Sequence, residues 1–290
     1  MVHNCPAVSD AAREIPGAEI DWVVEEPFAA VAAMHAGVRR VIAVAVRRWR
    51  GQPWPWKEIA AWRRELRAER YDAVVDTQGL LKSALITRCA LGRRHGMDAA
   101  SARERLASWF YDARHAVPRG LHAVERNRRL AAAALGYRIT PSVDYGLSSA
   151  QAAAGEAYSV FLTMTSRADK LWPEERWIES GRALGGRVVL PWGSGAERAR
   201  AQRIAAALPG AEVPARMTLD QLARLFARSR FVLGLDTGLT HLAAALGVRT
   251  VGLYAGSDPA LTGIFGAPRA TNLGAPGRAP EVAEVLKALA

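Results

Sequence analysis

The sequence predicts an α/β protein in which two domains are each built around a parallel β-sheet. Short apolar, β-rich runs alternate with amphipathic helical segments along the chain, the pattern of a parallel sheet covered by helices. Residues 140–155 interrupt this alternation with a proline, two glycines and three serines, and the pattern then starts again. With 290 residues, half of them hydrophobic, the chain can form two cores. We therefore expect domains at residues 1–148 and 149–290.

The first half begins with a helix that Pro16 and Gly17 end, and a strand, a helix and a longer apolar strand follow. An amphipathic helix then leads into the strand YDAVVD, after which turn residues start further helices. In this half we predict strands at residues 20–24, 38–46 and 71–76 and helices at residues 6–15, 28–35, 59–70, 80–91, 103–111 and 124–135.

The second half repeats the alternation with more strongly apolar runs. Pro173 favours the start of a helix and Gly247 favours the end of one. In this half we predict strands at residues 158–163, 187–190, 231–235 and 250–254 and helices at residues 173–184, 196–207, 219–227, 240–246 and 280–289.

Residues 231–254, FVLGLDTGLTHLAAALGVRTVGLY, are the strongest candidate for a ligand site. They read as strand, helix and strand, and in parallel sheets ligands bind beyond the carboxyl ends of the strands. Four residues fall at that end: Asp236, Thr237, Gly238 and His241. The helix start offers N–H groups to a phosphate, and Gly238 allows the backbone to approach a ligand closely. A simpler interpretation stays open, in which Asp236 caps the helix and His241 fills a half-buried position.

Two further strand ends in this half carry polar residues. Thr165, Ser166 and Lys170 follow the first predicted strand, and two hydroxyls with a cation suit a phosphate. Lys170 is one of only four lysines among 39 basic residues, which suggests that a compact charge is needed there. Glu197 lies near a helix start, where it could accept hydrogen bonds from a ribose or a base. The alternative for the first three residues is an exposed polar loop. The alternative for Glu197 is that its carboxylate complements the helix dipole.

The formal net charge of +11 suits nucleic acid, an anionic membrane surface or a phosphorylated ligand. All but four of the basic residues are arginines, a skew common in GC-rich genomes, so the charge alone decides little. Five arginines and three tryptophans form a basic-aromatic patch: Arg39, Arg40, Arg47, Arg48, Trp49, Arg50, Trp54 and Trp56. Nucleic acid, a phosphorylated lipid headgroup and a solvated surface all stay open as its explanation.

Several kinds of site are not indicated. The glycine-rich turn from Gly193 is G-x-G-x-x-R and lacks the third glycine of a dinucleotide site, and we find no P-loop, H-E-x-x-H, Asp-x-Asp or G-x-S-x-G motif. We therefore expect no metal. Cys5 and Cys89 give neither a disulfide framework nor a zinc spacing, which favours a reduced, cytoplasmic setting. No apolar run reaches the roughly 18 residues of a membrane span, and no signal peptide is indicated.

Motifs spread in order over nearly the whole chain resemble the ADP-heptose:lipopolysaccharide heptosyltransferases of glycosyltransferase family 9, and most closely their heptosyltransferase I branch. They are DWVVEE from residue 21, RRWR from 47, YDAVVDTQGLLKSAL from 71, HGMD from 95, HAVER from 122, DKLWPEERW from 169, LPWG from 190, and DTGLTHLAAAL from 236 with LYAGSDPALTG after it. The resemblance implies the GT-B fold, in which two Rossmann-like domains face each other across a cleft. It assigns the acceptor to the N-terminal domain and the nucleotide sugar to the C-terminal domain.

The resemblance also implies an activity. The family transfers L-glycero-D-manno-heptose from ADP-heptose to Kdo2-lipid A in the lipopolysaccharide inner core, with inversion and without a cofactor or an obligatory metal. A base deprotonates the acceptor hydroxyl, while cations and helix N-termini stabilise the departing ADP. With the basic patch, the lipid acceptor implies peripheral attachment to an anionic membrane surface, the cytoplasmic face of the inner membrane, rather than to nucleic acid.

By position in the family motifs, nine residues are implied to bind the donor. Thr165, Ser166 and Lys170 would hold the diphosphate, and Ser166 keeps the hydroxyl of the threonine that is usual there. Glu197 would bind the ribose and Met217 would flank the adenine. The sugar and phosphates would be surrounded by Asp236, Thr237, Gly238 and His241.

The front of the chain departs from the family pattern. The family begins with an apolar strand and a turn that ends in Gly-Asp, and this aspartate is the expected general base. Met1 corresponds to the position just after it, so the catalytic residue stays unknown, and Asp10 is not a positional match. The first sheet is expected to lack a central strand, which leaves the neighbouring strand edges unpaired. A late start codon and a truncated product both stay open, and the 290-residue form is expected to bind ADP-heptose without transferring the heptose.

Overall fold

The computed structural model describes residues 1–147, 158–165 and 167–290. The chain divides into two compact units, His3–Gly146 with Met1 and Leu147–Ala290 with Val2, which we call the first and the second unit. The boundary predicted after residue 148 lies outside the described residues and stays a prediction.

The first unit alternates short helices and strands from its start. In chain order these are α1 (Cys5–Glu14), β1 (Asp21–Glu25), α2 (Ala29–Ala33), β2 (Arg40–Val44), α3 (Val46–Trp49), α4 (Trp56–Leu66), β3 (Arg70–Asp76), α5 (Leu81–Thr87), β4 (Leu91–Met97), a 3-10 helix (Arg105–Phe110), β5 (Ala113–His115) and α6 (Ala123–Leu135).

The strands of the first unit form two separate parallel sheets, β1-β2 and β3-β4-β5. Neither β1 nor β3 pairs with a second strand among the described residues, so the two sheets are not joined by hydrogen bonds between these strands. The two strands start close together, because the hydroxyl of Tyr71 donates a hydrogen bond to Asp21 at 2.8 Å. Within β1 only Val24 is buried, and within β3 only Asp76. Most side chains of these two strands are therefore partly accessible to solvent.

Two predictions for the first unit were wrong. The helix predicted at residues 80–91 ends at Thr87, and Leu91–Met97 is the middle strand of its sheet. This strand reads LGRRHGM and has neither an apolar run nor a clean alternation, so its periodicity does not identify it. The helix predicted at residues 103–111 is the 3-10 helix Arg105–Phe110, in which the hydroxyl of Ser108 donates to the carbonyl of Arg105 and competes with regular helix bonding.

A buried ion pair joins the first and last helices of this unit. The guanidinium of Arg128 on α6 donates to Asp10 on α1 at 2.6 Å, and the two side chains are 1% and 0% exposed. Arg128 also donates to the carbonyls of Thr140 and Ser142, at 2.7 and 2.8 Å. Every polar contact of this arginine therefore lies within the protein.

The second unit is a continuous six-stranded parallel sheet of order β11-β10-β9-β6-β7-β8. Its elements are β6 (Tyr158–Leu162), α7 (Glu174–Leu184), β7 (Arg187–Val189), α8 (Gly195–Ala206), β8 (Ala211–Glu212), α9 (Leu219–Arg228), β9 (Val232–Leu235), α10 (Gly238–Ala245), β10 (Thr250–Tyr254), α11 (Pro259–Thr262), β11 (Ala270–Gly274) and α12 (Val282–Leu289). Three of these elements, β8, α11 and β11, were not predicted, because two are very short and β11 is half polar.

The core of the second unit explains why its other strands were predictable. Every residue of β6, β9 and β10 is buried, as expected for strands covered by helices on both faces. Phe161 of β6 packs against Trp177 of α7, and Trp172 packs edge-on against the same ring. This rigid sheet carries the loops in which the candidate site lies.

Candidate functional site

The strand order of the second unit indicates a ligand site before any side chain is considered. β6 pairs with β7 on one side and with β9 on the other, so the direction of winding reverses between β6 and β9. In open parallel sheets, ligands bind beyond the carboxyl ends of the strands at such a point. The segments that follow β6, β9 and β10 are therefore the ones that can carry functional side chains.

Asp236 is the centre of a polar cluster that these three segments build. Its Oδ2 accepts hydrogen bonds from the ammonium of Lys170 at 2.6 Å and from the hydroxyl of Ser257 at 2.5 Å. Its Oδ1 lies 3.3 Å from Nε2 of His241 on α10. Lys170 follows β6, Asp236 follows β9 and Ser257 follows β10. One carboxylate therefore joins three adjacent strand ends.

The carboxylate of Asp236 is held in its ionised form. Burial by itself would raise the pKa of Asp236, but hydrogen bonds from His241, Lys170 and Ser257 hold it below its usual value. The side chains of Asp236 and Lys170 are only 9% and 16% exposed, so solvent screens the pair weakly. An ammonium has three N–H donors and Asp236 uses one of them. The pair can therefore present a fixed cation to an anionic ligand.

The start of α10 adds backbone donors at the same place. Thr237 precedes the helix, and its side chain makes no capping hydrogen bond to any described residue. The first N–H groups of a helix lack partners within the helix and carry the positive end of its dipole. A side chain at Gly238 would meet nothing described within 4 Å, so open space lies beside this backbone. Because Asp236 bonds to Lys170 instead, the capping role considered for it is wrong.

Thr240 fixes α10 against the end of β9. Its buried hydroxyl donates to the carbonyl of Leu235 at 2.5 Å. A Cβ atom at Gly234 would overlap this hydroxyl, so the strand requires glycine at that position. The helix start and the carboxylate beside it therefore have a defined position.

Glu197 and Met217 lie at neighbouring strand ends of the same sheet. Glu197, in the first turn of α8, accepts a hydrogen bond from the N–H of Gly193 at 2.6 Å. Met217 is half-buried in the segment after β8. In that region the indole of Trp192 donates to the carbonyl of Pro214 at 2.8 Å. The roles of Glu197 toward a ribose and of Met217 toward an adenine stay predictions.

Of the predicted site residues, the structure brings Lys170, Asp236 and His241 into contact, with Thr237 and Gly238 directly after Asp236. Thr165 is half-buried in the loop between β6 and Lys170. Ser166 lies outside the described residues.

Sequence reasoning missed Ser257 as a member of the site. It lies within LYAGSDPALTG, a segment that we matched to the family without assigning a role to its serine. One serine in a glycine-containing turn has no chemical signal of its own, and the contact with Asp236 bridges 21 positions of sequence.

In the first unit, part of the basic-aromatic patch forms ion pairs with carboxylates of the protein itself. Three of its arginines are held by carboxylates: Arg39 and Arg40 by Asp21, and Arg48 by Glu26 and Glu58. Arg47 and Arg50 form no ion pair with a described residue, and Trp54 and Trp56 are 78% and 64% exposed. The patch that a ligand can reach is therefore smaller than the sequence suggests.

Two buried carboxylates of the first unit have structural roles. Asp10 is held by Arg128 and by Arg13, the latter at 2.8 Å. Asp76 accepts hydrogen bonds from Ser83 and from Tyr111, both at 2.7 Å. Burial raises the pKa of Asp76, although the hydrogen bonds from Tyr111 and Ser83 oppose it. Both carboxylates are therefore buried and bonded within the first unit.

Within residues 1–147, 158–165 and 167–290, no three or more His, Cys, Asp or Glu side chains are grouped so as to hold a metal ion. The same ranges contain no helix with the length and apolar character of a membrane span.

Comparison with known proteins identifies the family. Residues 59–287 match the model of glycosyltransferase family 9 (heptosyltransferase). The chain belongs to glycosyltransferase family 9. It is 48% identical over 280 residues to lipopolysaccharide heptosyltransferase 1 of Escherichia coli K12, covering 92% of this chain and 87% of that protein. It is 46% identical over 279 residues to lipopolysaccharide heptosyltransferase 1 of Salmonella typhimurium, covering 92% and 88%.

Solved structures of heptosyltransferases agree with the fold. The E. coli heptosyltransferase WaaC with ADP has a TM-score of 0.89 at 42% identity, covering 100% of this chain and 96% of that chain. WaaC with ADP-2-deoxy-2-fluoro heptose has a TM-score of 0.84 at 43% identity, covering 98% and 91%. E. coli ADP-heptose lps heptosyltransferase II shares the fold, with a TM-score of 0.77 at 22% identity, covering 99% and 93%. The predicted GT-B fold class is confirmed.

Proposed function

We propose that this family 9 member transfers L-glycero-D-manno-heptose from ADP-heptose to Kdo2-lipid A, with inversion, during assembly of the lipopolysaccharide inner core. Relatives that share nearly half of their residues with the chain are named lipopolysaccharide heptosyltransferase 1. The observation that carries the proposal is the cluster of Lys170, His241 and Ser257 around Asp236, at the point of the sheet where α/β proteins bind nucleotides.

The second unit is the donor-binding half in this proposal. WaaC, with which the chain aligns along its whole length, was solved with ADP and with an ADP-heptose analogue. The diphosphate would lie between the ammonium of Lys170 and the N–H groups at the start of α10, with Thr165 and Ser166 supplying hydroxyls. A helix start and a lysine next to open space provide both the charge and the room for this group.

The same groups account for stabilisation of the leaving group. As the acceptor oxygen attacks the anomeric carbon from one face, the bond to the β-phosphate oxygen breaks on the other, and ADP gains negative charge. A cation that Asp236 holds in place needs little rearrangement when this charge develops, and the uncapped N–H groups of α10 add to it. Lys170 is therefore the proposed electrostatic catalyst of ADP departure.

The first unit is the proposed acceptor-binding half, on the cytoplasmic face of the inner membrane. Its free cations match the negative charges of Kdo2-lipid A, which has carboxylates on its sugars and phosphates on its lipid. Arg47, Arg50 and Lys82 form no ion pair with described carboxylates, and Arg50 and Lys82 line one groove. Charged hydrogen bonds between these groups and the acceptor would orient it.

A second candidate function is donor binding without transfer. It is supported by the burial of Asp10 and Asp76, which are bonded inside the first unit and so are out of reach of an acceptor hydroxyl. Transfer needs a base within hydrogen-bond reach of that proton. In this candidate, ADP-heptose binds normally and the sugar is not moved.

One experiment separates the two candidates. The purified chain is titrated with ADP-heptose by calorimetry and then incubated with ADP-heptose and Kdo2-lipid A, with the product mass and the ADP release measured. A gain of one heptose supports transfer. Binding without a product supports the second candidate, and recovery of the product on adding formate would show that a carboxylate base makes transfer possible. Neither binding nor product would refute both candidates.

A further inference from the structure

One surface of the first unit exposes apolar side chains that its core does not use. It is formed by α5 and the 3-10 helix Arg105–Phe110, which pack together through buried Ala84 and Ala107. Leu85, Leu106 and Trp109 point outward and are 49%, 51% and 72% exposed. We define the α5 face by three apolar and three basic side chains: Leu85, Leu106, Trp109, Lys82, Arg88 and Arg105.

An apolar groove continues from this face. It has a volume of about 600 Å³, and Leu85, Ile86 and Cys89 line it together with Arg50 and Lys82. Leu85 belongs to both features, so the exposed apolar surface is continuous. Glu104 also lines the groove, but its carboxylate accepts a hydrogen bond from the N–H of Leu81 at 2.6 Å. The carboxylate of Glu104 therefore already has a hydrogen-bond donor at the start of α5.

The basic side chains of the α5 face are not neutralised by the protein. Lys82, Arg88 and Arg105 form no ion pair with any carboxylate in the described ranges. Elsewhere in the same unit arginines are held by carboxylates: Arg39, Arg40, Arg48, Arg94 and Arg128. The guanidinium of Arg88 lies 5.9 Å from the ring centre of Phe110, beside the apolar residues. Charge and apolar surface therefore occur together on the α5 face.

We propose that the α5 face docks on an anionic lipid bilayer. Leu85, Leu106 and Trp109 enter the boundary between headgroups and acyl chains, where tryptophan and aliphatic side chains bind. Lys82, Arg88 and Arg105 contact lipid phosphates, to which each basic side chain near a charged membrane is attracted. The face lies on different elements from the tryptophan-containing part of the basic-aromatic patch. The inference rests on the proposed function only in that the acceptor is a lipid.

A bilayer fits this face better than a second copy of the chain does. Two α5 faces brought together would place unpaired lysine and arginine side chains of both copies opposite each other, and such like charges disfavour an interface. An anionic bilayer instead supplies a phosphate for each cation and an apolar layer for the three outward side chains. The proposal therefore commits to lipid as the occupant.

The test is sedimentation of the full chain with phosphatidylcholine vesicles that contain or lack phosphatidylglycerol and that contain no Kdo2-lipid A. Binding is expected only with the anionic lipid. The triple variant Leu85→Ser, Leu106→Ser, Trp109→Ser should bind at least about tenfold more weakly, because three inserted side chains are lost. Arg88→Glu with Arg105→Glu should abolish the preference for anionic vesicles. Leu261→Ser and Arg216→Glu, exposed positions of the second unit, are the matched controls and should bind like the unchanged protein.

A second measurement does not depend on these substitutions. A polarity-sensitive fluorophore on Cys89, in the groove, should report a less polar environment when anionic vesicles are added. Unchanged vesicle binding by the triple variant would overturn the proposal. So would a dimer of the unchanged protein that the triple variant dissociates, since the face would then belong to a second copy.

Transfer to detergent-dispersed acceptor keeps this inference separate from the proposed function. The α5-face residues Leu106 and Trp109 have no assigned role in the reaction, so Leu106→Ser with Trp109→Ser should transfer heptose as the unchanged protein does while binding vesicles less. Absence of transfer by the unchanged protein would count against the proposed function, and the vesicle result would still decide the α5 face.

Discussion

The ammonium of Lys170 and the carboxylate of Asp236 lie 2.6 Å apart and join two strand ends of the second unit. Asp236 is also held by His241 and Ser257, and it in turn holds Lys170. The position of the cation is therefore set before a nucleotide arrives, and preorganised charge is the form in which electrostatic stabilisation is most effective.

Replacement of this lysine is expected to weaken donor binding. Lys170→Ala should reduce the affinity for ADP-heptose by about 1.5–3 kcal/mol, the usual contribution of a charged hydrogen bond. Calorimetry measures the dissociation constant directly. Lys287→Ala, on the exposed side of α12, is the control and should bind normally. An unchanged constant for Lys170→Ala would remove this residue from the site.

The stability contributed by Asp236 should depend on pH. Because its pKa is lowered in the folded protein, the ionised form stabilises the fold above the unfolded pKa of about 3.9, and this contribution is lost as the pH falls toward the folded pKa. Asp236→Asn should therefore lower the free energy of unfolding by about 1–3 kcal/mol at pH 7 and by less below about pH 4. Urea unfolding at pH 7, 5 and 3.5 measures the difference. A constant difference over this range would contradict the assignment.

The buried pair of Asp10 and Arg128 should be costly to break. Arg128→Met leaves the carboxylate of Asp10 without its buried partner, and such a loss destabilises a protein by about 3–5 kcal/mol. Arg129→Met changes the neighbouring residue, which forms an exposed pair with Glu125, and should cost at most about 0.5 kcal/mol. Urea unfolding of both variants tests the contrast. Equal effects would show that the burial of Arg128 does not matter.

The two cysteines should differ in reactivity. Cys5 is 0% exposed, and burial raises its pKa to about 12, so little thiolate is present at neutral pH. Cys89 is partly exposed in the groove. Ellman's reagent at pH 8 should therefore modify one thiol of the folded protein quickly and the second only after unfolding. Cys89→Ser should eliminate the fast reaction, and a fast reaction in that variant would disprove the assignment.

The strands that the sequence predicts best are those in which every residue is buried. β6, β9 and β10 are buried on both faces and read as continuous apolar runs, so they were found. β4 contains two arginines and a histidine, of which Arg93 is exposed whereas His95 is buried and stacks on His115, and β11 is similarly mixed. Neither pattern has the period of a strand, and tertiary context alone makes these segments extended.

Only those residues of the candidate site that follow adjacent parallel strands could be predicted to lie together. Asp236, His241 and Lys170 follow adjacent parallel strands, so their proximity follows from the fold class. The contact of Ser257 with Asp236 depends on the path of a loop, which no periodicity describes. The ion pairs that neutralise part of the basic-aromatic patch could not be predicted either, because the carboxylates of Glu26 and Glu58 reach Arg48 from other elements.

The division of the first unit into two sheets has a consequence for how the protein opens. In the second unit, the strands between the two edges of the six-stranded sheet are paired on both sides, so their amides exchange with heavy water only when a large cooperative structure opens. Among the described residues of the first unit, β1 and β3 each pair with one strand only, so the backbone groups on their other side form no ladder hydrogen bonds. Deuterium should therefore enter the first unit earlier, and the helix pair locked by Asp10 and Arg128 should stay protected longer than the strands beside it.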